Sequence, residues 1–198
     1  MKSSVRGFTL IQVIITIAIA GILSALAIPS FTTMFSNARR TGAVNELIGA
    51  LQYARGEAMK RNQRVVLCPT TSASTCTMST QAASPNCACA ANTANNWSTG
   101  WLVFVDVDQD DAVSQNDVTL NHAVSDYTGV RIGASAATYS FRPFNQSMTA
   151  GLLRVCDSRG AAYARAISID IKGRPRIMAP DGSGNITTEA GAVALTCP

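Results

Sequence analysis

The chain has 198 residues, of which 47% are hydrophobic and only 14% charged, with a net charge of +4 at pH 7. With an apolar N-terminal stretch set aside, about 170 residues remain, enough for one compact domain with a core and no more than one. A lone histidine, His122, with no nucleophile in a recognisable arrangement beside it, and a Cys87-Ala88-Cys89 spacing too close for a zinc knuckle leave no enzyme activity and no cofactor to expect.

Residues 1–7 carry Lys2 and Arg6, and from Gly7 the chain stays uncharged and apolar as far as Ile28. At about 1.5 Å per residue, a helix over residues 8–28 measures roughly 30 Å, the hydrocarbon thickness of a bilayer. Positive charge ahead of the span holds that end in the cytoplasm. A cleaved secretory signal ending at Ala25-Leu26-Ala27 calls for a shorter apolar run and would leave Ile28-Pro29 at the new terminus. A plain signal anchor fits the length. The residues Gly7-Phe8-Thr9-Leu10 before a long apolar helix, with Pro29 at its end, resemble the prepilin leader of type IV pilins and type II secretion pseudopilins. The resemblance implies cleavage after Gly7 by the prepilin peptidase, N-methylation of Phe8, and assembly with other pilins through the helix. It further implies a single-pass protein of the bacterial inner membrane with a periplasmic C-terminal domain, drawn into a filament on assembly. Family members usually carry glutamate where Gln12 stands. Gln12 can hydrogen-bond a neighbouring subunit's terminal amine but brings no charge, which implies a minor subunit near the filament tip.

Past Pro29 the helical pattern resumes. Val44, Leu47, Ile48, Leu51, Ala54 and Ala58 recur at three- and four-residue spacing among polar neighbours, which predicts an amphipathic second half over residues 29–62, bent near Pro29 and stopped at Asn62. Its apolar stripe is expected to pack the globular domain, residues 63–198. On the outer side of the membrane, Cys68, Cys76, Cys87, Cys89, Cys156 and Cys197 favour disulfides over metal. Cys156 with Cys197 is the pairing expected to tie down the C-terminal tail, with the other four paired among themselves.

A first strand is expected from Arg64 to Pro69, then a Ser-, Thr- and Ala-rich loop to Asn96, ordered by its cysteines. Trp97 to Asp106 reads as a turn and a β-prone strand, with both tryptophans in the core. This segment, with Arg61-Asn62-Gln63-Arg64-Val65 before it, is similar to the H-class minor pseudopilins and the minor pilins FimT and FimU. Next, Asp106, Asp108, Asp110 and Asp117 fall at places 1, 3, 5 and 12 of a calcium-loop pattern. Asp111 stands where that pattern has glycine, and Asp117 is shorter than the usual glutamate, so an acidic solvated hairpin competes with a calcium site.

Short β-prone runs from Val118 onward predict an antiparallel sheet laid on the helix, an α+β pilin-like fold. Ile167, Ile169 and Ile171 alternate with polar residues as one inward face. Between Arg131 and Arg176 stand eight basic residues against Asp157 and Asp170, either a polyanion-facing surface or dispersed solvated arginines. In Lys172-Gly173-Arg174-Pro175-Arg176, an extended backbone puts Arg174 and Arg176 on one side, about 6 to 7 Å apart, close to the spacing of consecutive phosphates. A Gly-Arg-x-Arg motif near the C-terminus resembles that of FimT-type minor pilins that bind DNA in natural transformation. It implies DNA contact by Gly173, Arg174 and Arg176, with Lys172 helping on charge. A structural priming pilin and a type II secretion pseudopilin are the other readings.

Overall fold

The computed structural model describes residues 7–70, 87–90, 96–124, 127–143, 146–147, 149–188, 191–194 and 197. Helix α1 runs from Leu10 to Arg61, 52 residues, continuous through position 29. Its start is a reciprocal capping box: the Gln12 Nα–H donates to Thr9 Oγ1 at 3.4 Å, and Thr9 Nα–H donates to Gln12 Oε1 at 3.0 Å. Its end is Asn62 in the left-handed region at φ 53°, preceded by Glu57 paired to Arg61 at 2.6 Å one turn on.

Two compact units divide the chain, one up to Ala38 and one from Arg39 onward. In the first, the helix is apolar and exposed, and by length and composition it is long enough to cross a membrane. In the second, α1 turns amphipathic: Ala43, Val44, Leu47, Leu51, Ala54 and Ala58 are all buried in the main core.

Ten of the strands assigned among the described residues are β1 (Val65–Pro69), β2 (Gly100–Val105), β3 (Val118–Val124), β4 (Val130–Ala134), β5 (Tyr139–Arg142), β6 (Gln146–Ser147), β7 (Gly151–Asp157), β8 (Arg165–Ile169), β9 (Pro175–Met178) and β10 (Asn185–Thr188); β11 (Gly191–Ala194) completes the set. As expected, the strands pair antiparallel, and they fall into three groups. One sheet has the order β3-β2-β1-β5-β6, a second β4-β7-β8-β9, and β10 pairs with β11, all antiparallel.

Strands β1 and β2 are buried along their whole length because both faces are covered. Val65, Leu67, Trp101 and Val103 face the α1 core, while Val66, Leu102 and Phe104 lie under Cys87 and Cys89. A Cys68–Cys89 disulfide holds that cover down. Cys87 is also disulfide-bonded; Cys76 lies outside the described residues. Trp97 and Trp101 are fully buried, the first against Tyr139 at 5.5 Å between ring centroids. Each removes about 150–250 Å² from water, so each contributes about 4–6 kcal/mol of transfer free energy.

In the second sheet, alternate residues Ile132, Leu153, Val155, Ile167 and Ile169 face the same core. The opposite face presents Cys156 and Ala166 to Ile186 of β10, and the Cys156–Cys197 disulfide fastens the tail there. The inward row ends at Ile169. Ile171 is 72% exposed, contrary to the expected third inward isoleucine, because the chain leaves β8 at Asp170 to turn.

Candidate functional site

The basic segment forms the turn between β8 and β9. Gly173 takes φ 69°, which a glycine adopts without strain, and its N–H donates to the Asp170 carbonyl at 2.8 Å. Asp170 organises the rest: its Oδ1 accepts the N–H groups of Lys172 and Arg174, each at 2.9 Å. Pro175, without an N–H to donate, opens the edge strand β9 opposite Ile169. Arg176 stands opposite Ser168, and Arg174 lies just ahead of β9, its carbonyl accepting the Asp170 N–H at 3.4 Å.

All three cations, Lys172, Arg174 and Arg176, are exposed. Arg174 nevertheless has a partner that the sequence reading left out: its Nε donates to Asp170 Oδ2 at 2.9 Å. Burial pushes the Asp170 carboxyl up, but the N–H groups and guanidinium of Arg174 outweigh it and hold the group below the ordinary carboxylate range. The signal for this contact was an aspartate three residues before a turn glycine, a residue type that closes turns on its own carboxylate.

Of the remaining basic residues, Arg142 and Arg159 turn away from this surface. Arg142 reaches Gln109 beside the acidic loop. Arg159 belongs with Arg40 around the buried Asp157, at 2.5 and 3.4 Å, and stacks over Tyr163. Its hydrogen bond, more than the opposing effect of burial, keeps the Asp157 carboxyl low. Arg131 and Arg154 share the outer face of the second sheet with Arg176, Arg131 opposite Cys156 and Arg154 opposite Gly133.

In the acidic loop between β2 and β3, Asp106, Asp108 and Asp117 bring carboxylate oxygens within 4.8 Å of one another. Asp110 instead accepts the N–H of Ala112 at 2.8 Å. Arg64 pairs with Asp106 at 3.2 Å and also with Asp111. Burial pushes the Asp106 carboxyl up, against the N–H of Asp111 and the charge of Arg64. Gln12 caps its own helix in the single chain. Gly7 and Phe8 precede that cap, and Phe8 is 88% exposed. His122 has a buried Nε2 without a hydrogen-bond partner among the described residues, and burial lowers its pKa.

The family described as type II transport protein GspH matches residues 43–173. Two fimbrial proteins of Pseudomonas aeruginosa are each 39% identical over 61 residues, 31% of this chain and 39% of theirs, so the chain spans well under half the length of these relatives. Two crystal forms of the type IV minor pilin FimU of Pseudomonas aeruginosa are 16% identical, with TM-scores of 0.49 and 0.50, covering 69% and 72% of this chain and 90% and 89% of theirs. At that identity the likeness, carried by the second form, speaks to fold alone, and the shared fold is a long N-terminal helix on antiparallel sheet. The match over residues 43–173 takes in the amphipathic half of α1 and the strands up to the β8–β9 turn, and on it the chain belongs to the GspH family of minor pilins and pseudopilins.

Proposed function

We propose that this protein is a minor type IV pilin, placed near the tip of a filament by its N-terminal helix, that captures extracellular DNA for uptake in natural transformation. The supporting observation is the β8–β9 turn, where Lys172, Arg174 and Arg176 stand exposed to water at the start of an edge strand. Guanidinium forks suit phosphate oxygens, and contacts to phosphate alone give binding that is weak and indifferent to sequence. Ile171 and Ile177, 72% and 55% exposed, flank the cations and add apolar contact to sugar and base. Attachment to a fibre with several copies raises the effective affinity.

Processing after Gly7, methylation of Phe8 and association with other pilins through α1 complete the proposal. So does the placement of the domain outside the inner membrane, where its disulfides persist. A second reading is a type II secretion pseudopilin, favoured by the description of the family itself.

DNA binding by the full chain in neutral detergent micelles, measured against salt, separates them. Neutralising three phosphates gives a log–log slope of about −2.7 on duplex DNA, and the Arg174→Gln, Arg176→Gln double variant should reduce it to about −0.9. Equal binding by wild type and double variant would reject DNA capture. In cells, that variant should keep its filaments and lose transformation.

A further inference from the structure

The loop between β2 and β3 is a second site, independent of the basic turn. We propose that Asp106, Asp108 and Asp117 form a calcium site that clamps the β2–β3 connection. Asp106 directly follows β2 and Asp117 directly precedes β3, so the ligands stand at the two roots of the loop. Their oxygens lie within 4.8 Å of one another. Oxygens this close can share one cation, and an irregular set of carboxylates suits calcium's flexible coordination better than the near-ideal octahedron magnesium demands. The donors are all oxygen, which suits a hard cation and not zinc or copper.

A separate observation points to a missing ligand. Asp106 is 2% exposed, and its two oxygens differ. Oδ2 is engaged by Arg64 and by the N–H of Asp111 at 3.2 Å. Oδ1 is buried with no hydrogen-bond partner among the described residues. A buried carboxylate oxygen without a hydrogen-bond partner is costly, and a cation held with Asp108 and Asp117 removes that cost. Asp117, itself fully buried, is held in place by the N–H groups of Val107 and Ser114 at 2.8 and 2.7 Å, with lone pairs left on both oxygens.

The two departures from the calcium-loop pattern lose force in the structure. Asp111 occupies the glycine place yet adopts φ 62°, and Gln109 two residues earlier adopts φ 64°, so the chain makes the sharp curl without glycine. Aspartate enters that region more easily than most residues. The short Asp117 side chain is compensated by its depth, since its backbone stands at the root of β3 rather than on a following helix. Arg64, shared between Asp106 and Asp111, and Arg142 at Gln109 are the cations on this loop among the described residues, against five aspartates from Asp106 to Asp117.

The test uses the full chain in detergent micelles after removal of divalent ions. Calcium should bind with a dissociation constant of about 0.1–1 mM, the range of extracellular calcium modules. At about 10 mM calcium the melting temperature should rise by about 4 °C or more. Asp108→Asn is the informative variant, because Asp108 is exposed and its loss leaves the loop's hydrogen bonds intact. It should melt like wild type without calcium and lose most of the calcium-dependent rise. No binding heat and no melting shift in the wild type, an equal shift with magnesium, or an undiminished calcium shift in Asp108→Asn would each overturn the proposal.

Discussion

Asp170 and Arg174 show how one residue sets both the shape and the strength of a site. The carboxylate closes the turn through backbone N–H groups, and it also pairs with one of the three exposed cations. Asp170→Asn keeps an oxygen for those N–H groups and removes the charge, so DNA affinity should rise, by about threefold to tenfold at low salt, in a filter-binding or anisotropy titration. Asp157 acts in the other direction. The Arg159 hydrogen bond holds its carboxyl below the ordinary value of 3.8, so the folded state gains stability that is complete above that pH and is lost as pH falls through the lower, folded value. Melting between pH 5 and pH 2 should therefore fall less steeply in Arg159→Gln than in wild type. Gly151 is fixed by space: a Cβ there would lie 2.6 Å from Ser135 Oγ and 3.0 Å from Tyr139. Gly151→Ala should cost about 1–3 kcal/mol in denaturant unfolding.

Among the elements, the C-terminal segment depends on a covalent link. Ile186 covers Cys156 and Ala166, and the Cys156–Cys197 bond, 41 residues apart in sequence, fastens this cover to β7. Replacing both cysteines by serine should lower stability by about 3–4 kcal/mol, read by urea unfolding under oxidising conditions. Helix α1 shows what sequence periodicity can reach. The stripe Val44, Leu47, Leu51, Ala54, Ala58 was legible because neighbours one turn apart share a face whatever they pack against. The strand cores were legible for the same reason, as with Ile167 and Ile169. Ile171 was misplaced because alternation says nothing of where a strand ends, and Asp170 with Gly173 ends it. The Thr9-Gln12 capping box is written in the sequence as a Thr-x-x-Gln signature ahead of an apolar run.

For the whole molecule, the uncharged first part of α1 and the mixed surface of the second unit predict a protein that resists alkaline extraction from membranes and leaves them in detergent, which fractionation of expressing cells would check. The acidic loop and the basic turn were both visible as clusters in the chain, yet only contacts between distant residues gave them their present form. Arg142, Arg159 and Arg165 lie within the same basic stretch as Arg174, but register sends Arg142 to the acidic loop and Arg159 to Asp157. The sequence by itself determined the membrane-length helix, its amphipathic continuation, the β-prone runs and the disulfide-rich loop, because each rests on local spacing and composition. The tertiary structure alone decided that β1 lies between β2 and β5, that two sheets share one helix, and that three aspartates converge while Arg142 and Arg159 leave the basic turn. Those outcomes depend on pairings such as Val65 with Phe141, and the free energy that fixes them comes from burying both partners together, which no stretch of chain expresses alone.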